Sequence, residues 1–468
     1  MTSPIEKFKA DTQASTVDFD HRKWMQTALK GYENTRGGVE ESFGDFEQAK
    51  RTGAAIKWEA IENLDTLLEE FAQNLEARGT KICWASNGAE AVDYILRVAE
   101  NHDAKKVIKS KCMTTEEIHL NPAMEKAGME VVESDLGEFI VQLRKEDPFH
   151  FVFPAMHLKR DKISQIFEQE IGSQPSDDPE ELTMIARRYM RQKYCEADIG
   201  ISGANFGIAE TGMISITENE GNARLTTSLP KVHIAVMGIE KIIPTLDDLT
   251  IMLPLLGTAG AGQWLTCYNS MIGGPRQPDE IDGPEEFHVV LVDNHRTRLL
   301  ADPEQRDALR CIRCGACLNV CPIFKNIGGH SYGTTYQGPI GSVITPHLRG
   351  LQPYKHLSYS SSLCGACSET CPVKIDLHHH LMRNRRDAVV EKGGSLERFA
   401  MRQFARVMAR PKLYRSTEGL MRLAEKCWRP LKGKKADPLK AWTSTRNLAP
   451  PAAKSFHRQW KEKQEGEK

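Results

Sequence analysis

The chain has 468 residues, too many for one ordinary domain, so two or three domains are expected. Its 62 Lys and Arg nearly balance 63 Asp and Glu, but after residue 380 there are 23 Lys and Arg against 9 Asp and Glu. This basic C-terminal region is predicted to be a solvated surface, or one that docks on an acidic partner or an anionic membrane face. A nucleic acid partner is not predicted.

Neither a secretory signal nor a membrane-spanning helix is expected. The N-terminal sequence MTSPIEKFKADTQ is polar, and the apolar stretch IMLPLLGTAGAG at 251–262 is shorter than the roughly 20 residues that span a bilayer. The sequence therefore predicts a cytoplasmic protein. In a reducing compartment, clustered members of its 12 cysteines are expected to bind metal rather than to form disulfides.

The elements predicted along the chain favour an α/β domain followed by helical segments. Residues 1–50 are expected to be irregular with one helix near 21–35, and 55–78 have helical spacing of apolar residues. Short β-type runs then alternate with helices, which predicts a largely parallel sheet at 51–300. The runs are KICWAS, KKVIKSK, EVVES, EFIVQL, HFVFPA, GMISITEN, HIAVMGI and FHVVLVDN.

Two cysteine motifs lie in the next segment, 301–385, among short helical pieces. The motif CIRCGACLNVCP at 311–322 matches SSLCGACSETCP at 361–372 when it is shifted by 50 positions, except that Ser361 stands in the place of Cys311. The segment 386–468 is predicted to be basic and helical with an extended tail.

The spacing C-x2-C-x2-C-x3-C-P is typical of bacterial-type 4Fe–4S ligation, in which the fourth cysteine binds the other cluster. Zinc sites usually show two CxxC pairs and do not explain this repeat. The crossed assignment gives cluster 1 to Cys311, Cys314, Cys317 and Cys371, and cluster 2 to Cys321, Cys364 and Cys367.

Cluster 2 therefore has three cysteines, and the spacing leaves its type open. Three possibilities stay open. Cluster 2 is a 3Fe–4S cluster, or it is a 4Fe–4S cluster whose fourth iron binds Ser361, a histidine, another cysteine or water. The third possibility is a cluster with an open iron that binds substrate. The remaining cysteines are predicted to be buried apolar residues: Cys83, Cys112, Cys195, Cys267 and Cys427.

A glycine-rich stretch that begins at Asp198 is a candidate anion site. Its backbone N–H groups between Asn205 and Gly212 could face an anion, with Glu210 as a carboxylate at the turn. The alternative is a tight connection without a ligand. No dinucleotide or P-loop motif is present, so neither NAD nor ATP is required.

Four segments of the α/β half precede the two cysteine motifs CIRCGACLNVCP and LCGACSETCPVKI: MTTEEIHLNPA, ISGANFGIAETG, NEGNARLTTSLP and HIAVMGIEKIIPTLDDL. In this combination and order they resemble the lactate utilization protein B family, in which a LUD domain precedes an iron–sulfur domain. The resemblance implies an α/β fold similar to those of CoA transferases and sugar-phosphate isomerases, a helical ferredoxin-type domain, and the seven cysteine ligands given above.

The same resemblance implies a role in the oxidation of L-lactate to pyruvate. The chain would be an electron-transfer subunit beside a cysteine-rich subunit of the glycolate-oxidase iron–sulfur type and a small LUD subunit. The alternative is an enzyme that binds an anionic substrate near Asn205–Gly212, with chemistry at an open iron of the three-cysteine cluster.

Overall fold

The structure is a computed structural model that describes residues 3–394, 396–443, 446–447, 449 and 452–466. Residues 1–391 form one compact unit and residues 392–468 form a second. The domain boundaries predicted at residues 50, 300 and 385 stay predictions.

The N-terminal segment is helical rather than irregular, so that part of the prediction was wrong. Polar residues cap the first three helices. The Ser3 hydroxyl and Glu6 form a capping box at the start of α1, and the side chains of Asp18 and Asp45 accept backbone N–H groups in the first turns of α2 and α3. The helix predicted over 55–78 is present as parts of two helices. The bounds are α1 Pro4–Val17, α2 Phe19–Ser42, α3 Phe46–Glu62 and α4 Leu64–Glu76.

The main sheet has six parallel strands in the order β1-β10-β7-β4-β2-β3, which confirms the predicted parallel α/β architecture. Its central strands are buried on both faces, as helices on each side require. The strands are β1 Lys81–Ala85, β2 Lys106–Lys109, β3 Glu130–Glu133, β4 Ile199–Ser202, β7 Val232–Gly238 and β10 Glu286–Val292.

A smaller mixed sheet has the order β8-β5-β6-β9. Its strands are β5 Phe206–Ile208, β6 Met213–Glu218, β8 Ile242–Ile243 and β9 Tyr268–Ile272. The helices between the strands of both sheets are α5 Gly88–Asn101, α6 Met113–Glu117, α7 Leu120–Lys126, α8 Leu136–Leu143, α9 Arg160–Ile171, α10 Pro179–Glu196, α11 Asn222–Ser228 and α12 Leu246–Ala261.

Two of the predicted β-type runs are not strands. EFIVQL lies in helix α8, which begins where the Asp135 side chain accepts the N–H of Glu138. HFVFPA forms turns. Nδ1 of His150 accepts the N–H groups of Val152 and Phe153, so these groups do not donate to a neighbouring β-strand. Tertiary position and capping thus overrode local β propensity in both runs.

Helix α11 packs so closely on β4 that Gly200 has no room for a side chain. A Cβ at Gly200 would lie 1.9 Å from the backbone oxygen of Thr226. We expect Gly200→Ala to destabilise the protein by about 1–3 kcal/mol, because backbone must move to relieve this overlap. The control Gly31→Ala, at an exposed helical position with nothing within 4 Å, should be neutral or stabilising. Thermal unfolding compares the two, and an equal melting temperature for both variants would contradict this close packing.

The segment after β10 folds onto the same core as the N-terminal helices. Buried side chains of α2, α3 and α12 form one cluster with residues of the cysteine segment, including Phe324 and Ile340. This shared core fixes the cysteine segment against the α/β layer. Its helices are α13 Arg296–Leu300, α14 Ala316–Asn319, α15 Phe324–Ile327, α16 Gly338–Arg349, α17 Leu351–Tyr359, α18 Ala366–Thr370 and α19 Leu377–Lys392.

The second unit contains helices, as predicted for the basic C-terminal region. No described residue of α20 is buried, and Phe399 and Phe404 are exposed. The predicted extended tail includes a helix at 456–466, while part of it lies outside the described residues. The helices are α20 Leu396–Met408, α21 Pro411–Trp428, α22 Lys440–Thr443 and α23 Phe456–Gly466.

Candidate iron–sulfur centre and adjoining cavity

The two cysteine motifs fold as a structural repeat. Arg313 and Leu363 occupy equivalent positions and have backbone φ angles of +59° and +56°. Gly315 and Gly365 follow with φ angles of +81° and +85°, and each begins a short helix, α14 or α18. Left-handed conformations at both positions turn the chain sharply, so that side chains on either side of the turn point to one centre.

Ser361 takes the place of Cys311 in hydrogen bonding as well as in sequence. The N–H of Arg313 donates to Sγ of Cys311 at 3.4 Å, and the N–H of Leu363 donates to Oγ of Ser361 at 3.1 Å. The second loop therefore keeps its shape without a thiol at position 361.

The first group of thiols combines three cysteines of the first motif with one of the second. Cys314 interacts electrostatically with Cys311 and Cys371, and Cys317 interacts with Cys311 and Cys314. These four side chains line one small cavity with Phe151 and Ile340. Cys311 is half-buried and the other three are buried.

The second group combines Cys321 of the first motif with Cys364 and Cys367 of the second. Cys321 interacts with Cys364, and Cys367 interacts with both. Cys364 is exposed, so this group lies nearer to solvent than the first. Cys317 and Cys367 also interact, which places the two groups next to each other.

The donor set fits iron–sulfur clusters on chemical grounds. Burial raises the pKa of the Cys314 and Cys367 thiols to about 12 and that of Cys371 to about 11, so bound iron would have to stabilise the thiolates. Backbone N–H groups already point at sulfur, for example that of Ile375 at Sγ of Cys371, 3.4 Å away. Such bonds stabilise thiolate charge and tune cluster potentials.

A single zinc ion fits these thiols less well. Tetrahedral zinc gathers four ligands at about 2.3 Å from one ion. Among the described residues, no three of these thiols lie within 4.8 Å of one another. The wider spacing suits corners of a cluster, where each thiolate binds a different iron.

The glycine-rich stretch that was predicted as an anion site is mostly committed to packing. A Cβ at Gly212 would lie 2.8 Å from backbone atoms of α4, and Glu210 accepts the N–H of Leu246 at 2.9 Å. Oδ1 of Asn205 accepts the N–H of Thr217 at 2.8 Å. Of Asn205, Glu210 and Gly212, Asn205 alone lines the cavity at the ends of the parallel strands.

That cavity, of about 700 Å³, was missed by sequence reasoning. It lies where four parallel strands end: Lys111 follows β2, Asp135 follows β3, Asn205 follows β4 and Lys241 follows β7. The carboxyl ends of parallel strands are the usual place for ligands in such sheets. Its far wall includes Cys314 of the first thiol group.

A buried charge network that the sequence did not reveal lies behind the cavity. Nε of Arg296 donates to Oε2 of Glu240 at 2.6 Å, and its Nη2 donates to Oε2 of Glu117 at 2.8 Å. Nη2 of Arg313 donates to Oε1 of Glu240 at 3.1 Å. Burial opposes ionisation of Glu240, but the two guanidinium groups lower its pKa to about 2. The network ties the first cysteine loop to the sheet.

The prediction for the remaining cysteines was largely wrong. Cys112 is buried, but Cys83 is half-buried and the thiols of Cys195, Cys267 and Cys427 are exposed. Their isolation in the sequence gave no periodicity from which exposure could be inferred.

Comparison with known proteins places this arrangement in a family. Residues 68–292 match the LUD domain, 307–375 the 4Fe-4S dicluster domain, and 376–465 the C-terminal domain of lactate utilisation protein B. Lactate utilization protein B of Oceanobacillus iheyensis is 43% identical over 97% of this chain and 95% of its own. The chain belongs to the lactate utilization protein B family.

Other members of the lactate utilization protein B family are equally similar. The proteins of Bacillus cytotoxicus and Geobacillus kaustophilus are each 44% identical, over 94% and 95% of this chain and 93% and 95% of their own. A solved DUF162 family protein from Deinococcus radiodurans aligns with 49% of this chain and 98% of its own at 16% identity, with a TM-score of 0.28. No helix of the described residues is long and apolar enough to cross a membrane.

Proposed function

We propose that this chain is an iron–sulfur electron-transfer subunit in the oxidation of L-lactate to pyruvate. The relatives named above are lactate utilization proteins, and the oxidation releases two electrons and two protons. The observation that carries the proposal is the arrangement of the seven cysteines in two adjoining groups, one of four and one of three. When bound, two clusters would supply one-electron transfer steps.

The difference in burial between the two thiol groups indicates which group a partner would contact. Cys314, Cys317 and Cys371 are shielded from solvent, whereas Cys364 is exposed. A partner could approach the second group at Cys364 closely enough for electron exchange, while no cysteine of the first group is exposed to the same degree. We propose a cysteine-rich subunit of the glycolate-oxidase type and a small LUD subunit as partners.

Two further features of the proposal rest on the sequence. A cytoplasmic location agrees with 12 cysteines that form no disulfides among the described residues. Docking of the basic C-terminal region on an acidic partner or an anionic membrane face stays a prediction.

The alternative, chemistry at an open iron of the three-cysteine group, has weaker support. The cavity borders Cys314, which belongs to the four-cysteine group, and none of the three cysteines of the second group lines it. A substrate in this cavity would therefore lie beside the fully ligated group.

We expect L-lactate to reduce the clusters when the chain is purified anaerobically with its native partners. Electron paramagnetic resonance (EPR) spectra before and after L-lactate should show new reduced-cluster signals, and a Cys371→Ser variant should lose the signal of the first group. Dithionite is the control, since it reduces clusters without any partner. An unchanged spectrum with L-lactate, in a sample that dithionite still reduces, would contradict the lactate role.

A further inference from the structure

The cavity at the strand ends has an unpaired cation. Lys241 follows β7 and lines the cavity, yet its ammonium forms no hydrogen bond and no ion pair within the part of the chain that the structure describes. By contrast, Nζ of Lys111, on the same wall, is held by Asp135 at 2.9 Å and by the oxygen of Val152 at 3.1 Å. An ammonium left without a partner at a cavity wall favours a ligand that carries negative charge.

The neighbouring carboxylates do not pair with this cation. Glu240 is bonded to Arg296 and Arg313, and Glu117 is bonded to Arg296. Cys311 of the first thiol group also interacts electrostatically with Lys241 and would carry negative charge as a cluster ligand.

A second donor near Lys241 also lacks a partner. Nη1 of Arg313 is buried without a hydrogen bond. The side chain is 9% exposed, and its Nη2 is paired with Glu240. Arg313 lines the cavity and lies over the ring of Tyr336, with 4.7 Å between the guanidinium carbon and the ring centroid. Because Nη1 has almost no accessible surface, it adds positive charge beside the cavity but offers a ligand no direct contact.

The acidic residues of the cavity wall are occupied or partly neutral. Glu218 accepts the N–H groups of Ala223 and Arg224 at the start of α11. Burial and the nearby charge of Asp135 raise the pKa of Glu220 to about 7, so it is partly protonated at neutral pH. Repulsion of an anion by this wall is correspondingly reduced.

The size and lining of the cavity indicate what else the ligand must carry. A volume of about 700 Å³ is in the range of cofactor-sized sites and far exceeds the needs of a three-carbon acid. Much of the remaining wall is apolar, from Leu29, Met113, Phe153, Met156 and Leu256. The occupant therefore combines one anionic group with a larger apolar or aromatic body.

We propose that this cavity binds an organic anion larger than lactate, with its carboxylate or phosphate on Lys241 and its apolar body against the methionine and phenylalanine wall. The ligand would lie beside Cys314 and hence next to the first cluster. The binding argument uses only the chain's own side chains, while its meaning for electron flow rests on the proposed function.

Equilibrium dialysis of the anaerobic full chain tests the proposal with two anionic probes. Flavin mononucleotide supplies a phosphate and benzoylformate supplies a carboxylate, each on an aromatic body, and riboflavin is the flavin without the phosphate. We expect saturable binding of at least one anion at one site per chain, and weaker binding of riboflavin than of its phosphate ester. The two anionic probes distinguish a phosphate ligand from a carboxylate ligand.

Lys241→Met should weaken binding of the anion at least about tenfold, because a charged hydrogen bond is lost. Lys241→Arg should restore most of it, and the exposed Lys231→Met should leave it unchanged. Absence of saturable binding of both anions, or equal binding by the Lys241→Met variant, would overturn the proposal.

Lys241 could instead act only on the cluster, since it also interacts electrostatically with Cys311. A shifted midpoint potential in Lys241→Met with unchanged anion affinity would assign it to the cluster and overturn the anion site. Neither result depends on lactate. Failure of L-lactate to reduce the clusters would therefore contradict the proposed function without affecting the binding result.

Discussion

Cys371→Ser is expected to give the same cluster loss as Cys314→Ser, although the two residues belong to different motifs. Cys371 lies with Cys311 and Cys314 and lines their cavity. Each variant should lose up to about four irons and one EPR signal, that of the first group. Iron and sulfide content and the spectrum of the dithionite-reduced protein measure this loss.

The pair Cys321 and Cys364, of the second group, provides a second test of crossed ligation. Cys321→Ser should reproduce the spectrum of Cys364→Ser, because these thiols interact with each other. Cys195→Ser is the matched control, since this exposed cysteine lies outside both groups. If Cys371→Ser instead resembles Cys364→Ser, each motif binds its own cluster and the crossed assignment is wrong.

Arg296→Met is expected to lower the free energy of unfolding by about 3–5 kcal/mol. The guanidinium is 1% exposed and neutralises Glu240 and Glu117, which are 1% and 5% exposed. Without it, Glu117 would lose the one ion pair that the described residues give it, and Glu240 would keep only the pair with Arg313. Anaerobic urea unfolding, at matched iron content, measures the loss.

A surface ion pair provides the control for Arg296→Met. Arg386 pairs with Glu304 and with Asp387, but Arg386 and Glu304 are each 51% exposed. Arg386→Met should cost no more than about 1 kcal/mol, because solvent screens exposed pairs. Similar losses in both variants would show that the buried network does not stabilise the fold as argued.

The grouping of the cysteines could be predicted because the thiols are encoded in short segments. The spacing from Cys311 to Cys321, repeated 50 positions later, restricts which thiols can meet. The cavity could not be predicted in this way, since Lys111, Asn205 and Lys241 come from separate strand ends that only the sheet brings together.

The errors in the predicted elements have a related cause. EFIVQL has the composition of a buried strand, but the cap at Asp135 begins a helix there, in which the consecutive residues 138–141 are all buried. The N-terminal helices α1 and α2 are rich in polar residues, and contacts with the cysteine segment supply the apolar partners that local sequence lacks. The local pattern of polar and apolar residues alone does not reveal such tertiary partners.

The order of the strands has a consequence for synthesis on the ribosome. β1 is an edge strand that pairs with β10, so Lys81 must wait roughly 200 residues for His288 to emerge, and pairing over such separations is slow. Yet β10 ends at Val292, before Cys311 appears. The nascent chain can thus complete its sheet before Cys311, the first thiol of the two groups, leaves the exit tunnel, and iron would be delivered to sulfur atoms presented by an already folded support.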